Sequence, residues 1–130
     1  MITLERAQSL IAAGIEEATS QGLALAFAVV DPAGHLVASA RMDGAPWIAP
    51  DVALGKAWTA AAYGAPSAAQ GEKMQSLHAF SASISVATGG RYTPQIGGLP
   101  ITDGGSVIGA MGASGGTGQQ DEDVVRTAIG

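Results

Sequence analysis

Apolar residues recur near the start of the chain at Leu4, Ala7, Ile11, Gly14, Ile15 and Ala18, with Glu5, Arg6, Glu16 and Glu17 off that stripe. Such spacing predicts an amphipathic helix of about five turns. Thr3 is placed to cap it and Gly22 to stop it. The pattern then changes. Residues 23–31 are apolar on both faces, as a central strand would be. Asp31-Pro32-Ala33-Gly34 is turn chemistry: the Asp side chain bonds nearby backbone, Pro pre-sets φ, and Gly takes the left-handed slot. From residue 35 to residue 43 the period becomes two. Leu36, Ala38, Ala40 and Met42 are expected on a core face, with His35, Val37, Ser39, Arg41 and Asp43 on the other.

Asp43-Gly44-Ala45-Pro46 turns the chain past an exposed-looking Trp47, and Pro50 opens a helix continuing over residues 51–63. Val52, Ala53, Lys56, Ala57, Ala60 and Tyr63 share one side of it. A lysine on an alanine stripe has two readings. It snorkels to solvent from the stripe edge, or it is held inside for a purpose that offsets the cost of burying an ammonium. Gly64-Ala65-Pro66 breaks the helix. Ser67 is placed to cap a short helix reaching Leu77, and the stretch to Thr88 reads as helix and loop. Residues 91–96 predict a strand kept near an edge by Pro94. Residues 99–102 and 106–113 predict a hairpin around Asp103-Gly104-Gly105, and a last helix runs from about Gln119 to Ile129. The order α-β-β-α-(α)-β-β-β-α with its hairpins predicts an antiparallel sheet with helices packed on it.

Composition narrows the function classes. At 130 residues the chain suits one domain spanning residues 1–130. No apolar run approaches the roughly 18–20 residues that cross a bilayer, and no signal-peptide pattern opens the chain, so a cytoplasmic protein without a membrane partner is expected. The absence of cysteine removes disulfides, thiolate metal sites and cysteine nucleophiles together. A net charge of −5 with six basic residues argues against nucleic acid, which needs a basic stripe.

Candidate chemistry is sparse. At about 3.3 Å per residue, His35 and Arg41 lie roughly 20 Å apart on one strand, so they form two clusters: His35 at a hairpin tip, Arg41 and Asp43 at the strand end. The glycine-rich stretch 113–118 before the last helix invites a phosphate reading. It lacks a P-loop lysine, however, and Asp121, Glu122 and Asp123 in the first helical turn would repel phosphate while complementing the helix dipole. His35 and His78 are far apart with no fitting carboxylate spacing, so no metal site is expected.

Five segments in this order carry a resemblance: Val29-Val30-Asp31-Pro32-Ala33-Gly34-His35-Leu36, Arg41-Met42-Asp43-Gly44-Ala45, Lys56-Ala57-Trp58-Thr59-Ala60, Gly97-Gly98-Leu99-Pro100-Ile101, and Gly109-Ala110-Met111-Gly112-Ala113-Ser114-Gly115-Gly116 followed by Gln120-Asp121. Together they resemble the GlcG/HbpS family (DUF336, haem-degrading domain), which includes the carboxy-terminal domain of PduO-type proteins. The resemblance implies an α+β fold of α/β/α layers, profilin-like, with a five-stranded antiparallel sheet flanked by helices and assembled as a homo-oligomer, a tetramer or octamer. It also implies a small-molecule ligand, with haem or another tetrapyrrole foremost. In that reading His35 approaches the iron, Arg41 and Lys56 meet the propionates, and Tyr92 and Thr93 are further candidates beside His78 and the methionines. The alternative is a cofactor-independent isomerase, dehydratase or lyase acting on a small carboxylate or carbonyl compound in an intersubunit pocket. There Arg41 and Lys56 hold the substrate while Asp43, His35 or Asp121 moves the proton. A third reading is an interaction subunit whose charged cluster makes interface salt bridges.

Overall fold

The computed structural model describes residues 1–130. Helix α1 (Leu4–Ser20) is capped at Thr3, whose hydroxyl accepts from the Arg6 amide at 3.1 Å, and Gly22 follows it in the left-handed conformation that stops a helix. Strands β1 (Ala26–Val30) and β2 (Leu36–Arg41) form the first hairpin. Helix α2 (Ala49–Tyr63) begins with Pro50 in its first turn and ends on Gly64 at φ +60°. Two short helices follow, α3 (Ser67–Lys73) and α4 (His78–Ala87). Strands β3 (Gly98–Asp103) and β4 (Ser106–Ser114) form the second hairpin, and α5 (Gly118–Ile129) closes the fold behind a Thr117–Gln120 capping box.

The sheet has order β2-β1-β4-β3, and every neighbouring pair is antiparallel. It has four strands, not the five expected. Residues 91–96, expected as an edge strand, instead lie along α2 and α3. Their backbone donors go to hydroxyls or local turn carbonyls rather than to a ladder: Tyr92 N donates to Thr88 Oγ1 at 3.0 Å, Thr93 N to Thr59 Oγ1 at 2.8 Å, and Gln95 N to the Thr93 carbonyl at 2.9 Å. Pro94 has no donor to offer.

The two faces of the sheet differ in side-chain size, and alternation along the strands explains it. Phe27 and Val29 of β1, Leu99 and Ile101 of β3, and Met111 and Ala113 of β4 join Ala7, Leu10, Ile11, Val124 and Val125 in one core under α1 and α5. The opposite face is paved with small residues. There Val30 and Ala110 meet Ala57, Ala60 and Ala61 of α2. A Cβ on Gly112 would strike the Ala53 carbonyl, and one on Gly98 would strike the Lys56 carbonyl. Helix α2 therefore rests on strand backbone, which is why β1 reads as apolar on both faces.

Two further expectations change. Leu36 is exposed and Val37 packs against the core, the reverse of a strict period of two. Val29 pairs with Ala38 and Val30 with Leu36, so Val37 is an extra residue in β2 that flips the faces beyond it. Ser67 does not cap a helix. Its hydroxyl accepts from the Gly98 amide at 2.9 Å and secures the start of β3, while the helix expected to reach Leu77 ends at Lys73 and α4 begins beyond it at His78.

Candidate functional site

The β1–β2 hairpin tip is built around Asp31. Its Oδ1 accepts the amides of Ala33 at 2.9 Å and His35 at 3.0 Å, and its Oδ2 lies 3.5 Å from His35 Nδ1. The His35 amide bond is the largest influence on the Asp31 carboxyl. Together with the Ala33 amide and the adjacent imidazole it holds the group below its ordinary 3.8, against an opposing effect of desolvation. The His35 side chain is 81% exposed, with Nδ1 turned to Asp31 and Nε2 left without a protein partner. Gly34, at φ +85°, lies so close to the Trp58 indole that a Cβ would come within 2.6 Å of it. Only glycine serves there, and the close approach ties the hairpin tip to α2.

Beside that contact a cleft of about 450 Å³ opens between Gly34, His35 and Trp58 on one side and Ala87, Thr88, Gly89 and Arg91 on the other. Arg91 Nη1 donates to the Thr88 carbonyl at 3.2 Å. Past Arg91 a second depression of about 280 Å³ continues along Asp51, Leu54 and Gly55. One imidazole, one indole and one guanidinium thus converge on a concave surface, a setting for a flat, anionic, partly apolar molecule.

The other sequence candidates lie elsewhere. Lys56 is buried on α2. Its Nζ donates to Asp121 Oδ2 and to the Ala113 carbonyl, each at 3.0 Å, and Asp121 Oδ1 accepts the Gly116 amide at 2.9 Å. The chain therefore neither snorkels this lysine nor exposes it, and neither Lys56 nor Asp121 lines a cleft. Arg41 and Asp43 flank Met42 in a shallow depression that also includes Ile15, and no ion pair joins them. Arg41 pairs with Ala26 at the far end of β2 from His35, so the two clusters stay separate. The Tyr92 hydroxyl donates to Gln70 Oε1 at 2.8 Å. Burial, with the neighbouring Tyr63 acting in the same direction, raises it above its ordinary 10.0. Thr93 packs on Gly55 and Thr59. No three His, Asp or Glu side chains converge as a metal site.

The family model described as haem degrading protein HbpS-like matches residues 2–130. The chain belongs to the HbpS-like family. Escherichia coli GlcG is 36% identical over 114 residues, covering 88% of this chain and 81% of GlcG. The crystal structure of Klebsiella pneumoniae ORFY, assigned to DUF336, superposes with a TM-score of 0.90 at 34% identity over 98% of this chain and 88% of that one. A crystal structure described as a PduOC–haem complex superposes at 0.88 with 27% identity, over 98% and 92%.

Within this HbpS-like chain, sequence reasoning singled out His35 but not Arg91 or Trp58 as its companions. Trp58 shows in the sequence only as part of a motif, and Arg91 falls in a run whose pattern predicts a strand that does not form. The signal available was indirect: Gly34 next to a bulky indole elsewhere in the chain gives no local pattern to find.

Proposed function

We propose that this protein binds haem or a related tetrapyrrole in the cleft between the hairpin tip and residues 87–91. The observation that carries the reading is His35 itself. The imidazole lies with Nδ1 3.5 Å from Asp31 Oδ2, a carboxylate neighbour of the kind that orients metal-ligating histidines, and its Nε2 has no protein partner in the cleft it shares with an indole and a guanidinium. Those residues fit the group. His35 would supply an axial nitrogen, Trp58 an aromatic surface, and Arg91 a partner for a propionate carboxylate. Bound haem would supply an iron centre, and the chain's own part is to hold, orient and partly shield it. A haem complex of a relative at 27% identity with the same fold supports the same ligand class. Lys56, Arg41, Tyr92 and Thr93 stand outside this proposal, because each is engaged or located away from the cleft. The acid/base alternative loses Lys56 as a substrate clamp and Asp121 as a proton carrier for the same reason, since the two side chains are closed in on each other.

Titration of the haem-free protein, followed through the Soret band, tests this. Saturation at a fixed stoichiometry is expected, with a shifted band and at least tenfold weaker binding in His35→Ala, and weaker binding without a change of axial ligand in Arg91→Ala. A non-saturating signal, or one unchanged in His35→Ala, overturns the assignment.

A further inference from the structure

Met42, one residue past the end of β2, closes the base of the first hairpin with both its backbone and its side chain. Its amide donates to the Leu25 carbonyl at 2.9 Å, and its Sδ accepts the Leu25 amide at 3.4 Å. Leu25 is fully buried, and this sulfur is the only protein acceptor of its amide. A thioether accepts weakly, so a buried donor that would ordinarily find an oxygen is held here by sulfur alone. Met42 is half-buried. It packs against the core on one side, and on the other it lines the open depression of about 370 Å³ that it shares with Ile15, Arg41 and Asp43. The remaining methionines differ from it. Met1 is terminal and 85% exposed, whereas Met74 and Met111 are 5% and 0% exposed. Met42 alone is both reachable and built into the fold.

We propose that Met42 is a modification site, oxidised by a small hydroperoxide to a single epimer of its sulfoxide while the fold stays intact. A thioether sulfur carries a pair of lone pairs. One faces the Leu25 amide; the other is the nucleophile that remains, and the open side of the residue is the depression. In the reaction Sδ attacks one peroxide oxygen, and the S–O bond forms as the O–O bond breaks. The proton of the attacked hydroxyl leaves with the departing oxygen, which becomes water when the peroxide is hydrogen peroxide. Sulfur gives up an electron pair and the peroxide takes it, so the step needs no other co-reactant. Attack from one side only fixes the configuration at sulfur. The new oxygen then points into the depression, where Arg41 has no ion-pair partner and can donate to it. The lone pair facing Leu25 is untouched, so the base of the hairpin keeps its bond. Oxygen added to Met74 or Met111 has no such space to enter and would disrupt the packing around it. Epimer-specific reductases reverse sulfoxide formation, which makes an oxidation that spares the fold a switchable mark instead of a lesion. None of this depends on the His35 cleft, which lies at the opposite end of β2.

Timed exposure of the full-length, haem-free protein to dilute hydrogen peroxide, quenched with free methionine and mapped by peptide mass spectrometry, tests the proposal. Met1 serves as the exposed reference. Met42 should gain an oxygen at a rate within about tenfold of that at Met1, while Met74 and Met111 lag Met1 by at least about a hundredfold as long as the chain is folded. In urea-unfolded protein all four methionines should oxidise at similar rates. Protein oxidised at Met1 and Met42 should keep its far-UV spectrum and a cooperative melt, and Met42→Leu should take up oxygen at Met1 alone. After unfolding, one of the two epimer-specific sulfoxide reductases should restore most of the Met42 sulfoxide and the other little, whereas the Met1 sulfoxide should divide evenly between them. A Met42 rate as slow as those of Met74 and Met111 overturns the site. An even division of epimers at Met42 overturns the one-sided attack, and loss of the cooperative melt on oxidation overturns the retained bond to Leu25.

Discussion

At the scale of single residues, the buried Lys56–Asp121 pair is where a substitution should matter most for stability. Both side chains are almost wholly inaccessible, and their remaining polar capacity goes to the Ala113 carbonyl and the Gly116 amide. Lys56→Met leaves an uncompensated carboxylate inside and should cost about 3–5 kcal/mol in a urea melt. Lys56→Met combined with Asp121→Leu should recover much of that loss, because a pair removed whole leaves no stranded charge. Two titrations give independent checks. The Asp31 folded-state pKa lies below its unfolded value, so its contribution is present above 3.8 and is lost as pH falls through the lowered value; a carboxyl-carbon NMR titration should place its midpoint below 3.8. Tyr92 is the opposite case. Its folded pKa is raised, so the unfolded state releases its proton first and stability declines as pH rises above 10.0, a decline that Tyr92→Phe should reduce. Lys56 also marks a limit of reading a sequence. Its place on an alanine stripe was visible, but its partner lies 65 positions away, and nothing local to either residue announces the pair.

Among the elements, α2 and α4 are opposites. Helix α2 lies on strand backbone, and the glycines beneath it are there for distance rather than for turning. Gly98 and Gly112 have ordinary φ values, so alanine at either would be tolerated by the backbone but not by the helix above. Gly112→Ala should cost about 1–3 kcal/mol or more through forced separation of α2 from β4. Gly104→Ala, at φ +57° with nothing near the added methyl, should cost only about 1 kcal/mol. Hydrogen exchange should rank the elements the same way, with α2 amides protected near the global limit and α4 amides in the isolated protomer exchanging far faster. Local periodicity was enough to read α1, the two hairpins and α5, because each carries a cap, a turn or an alternation that the sequence displays. It failed at residues 91–96 for a nonlocal reason. An extended, apolar-flanked run looks like a strand until the hydroxyls of Thr59 and Thr88 take its donors.

At the scale of the whole molecule, the layered α+β arrangement followed from the order of elements, and the family resemblance carried it further than periodicity alone. The fifth strand was the excess. The candidate cleft was legible only in part, since His35 announced itself at a turn while Trp58 and Arg91 reach it from positions 23 and 56 residues further along. The cleft has one wall of each kind. Trp58 stands on the helix whose seat leaves no room for adjustment, whereas residues 87–89 continue from α4, which is held only by hydrogen bonds joining Ser85 and Thr88 to Tyr92. Mechanically, the molecule offers a ligand an anvil and a spring. On the proposed ligand reading, the anvil would fix where a flat guest sits and the spring would accommodate its breadth, so that selectivity and stability would be set by different parts of the chain. On that reading, variation at the exposed positions of α4, such as Phe80 and Val86, would change which guests are admitted while the melting temperature of the protomer stays where the packing under α2 has put it.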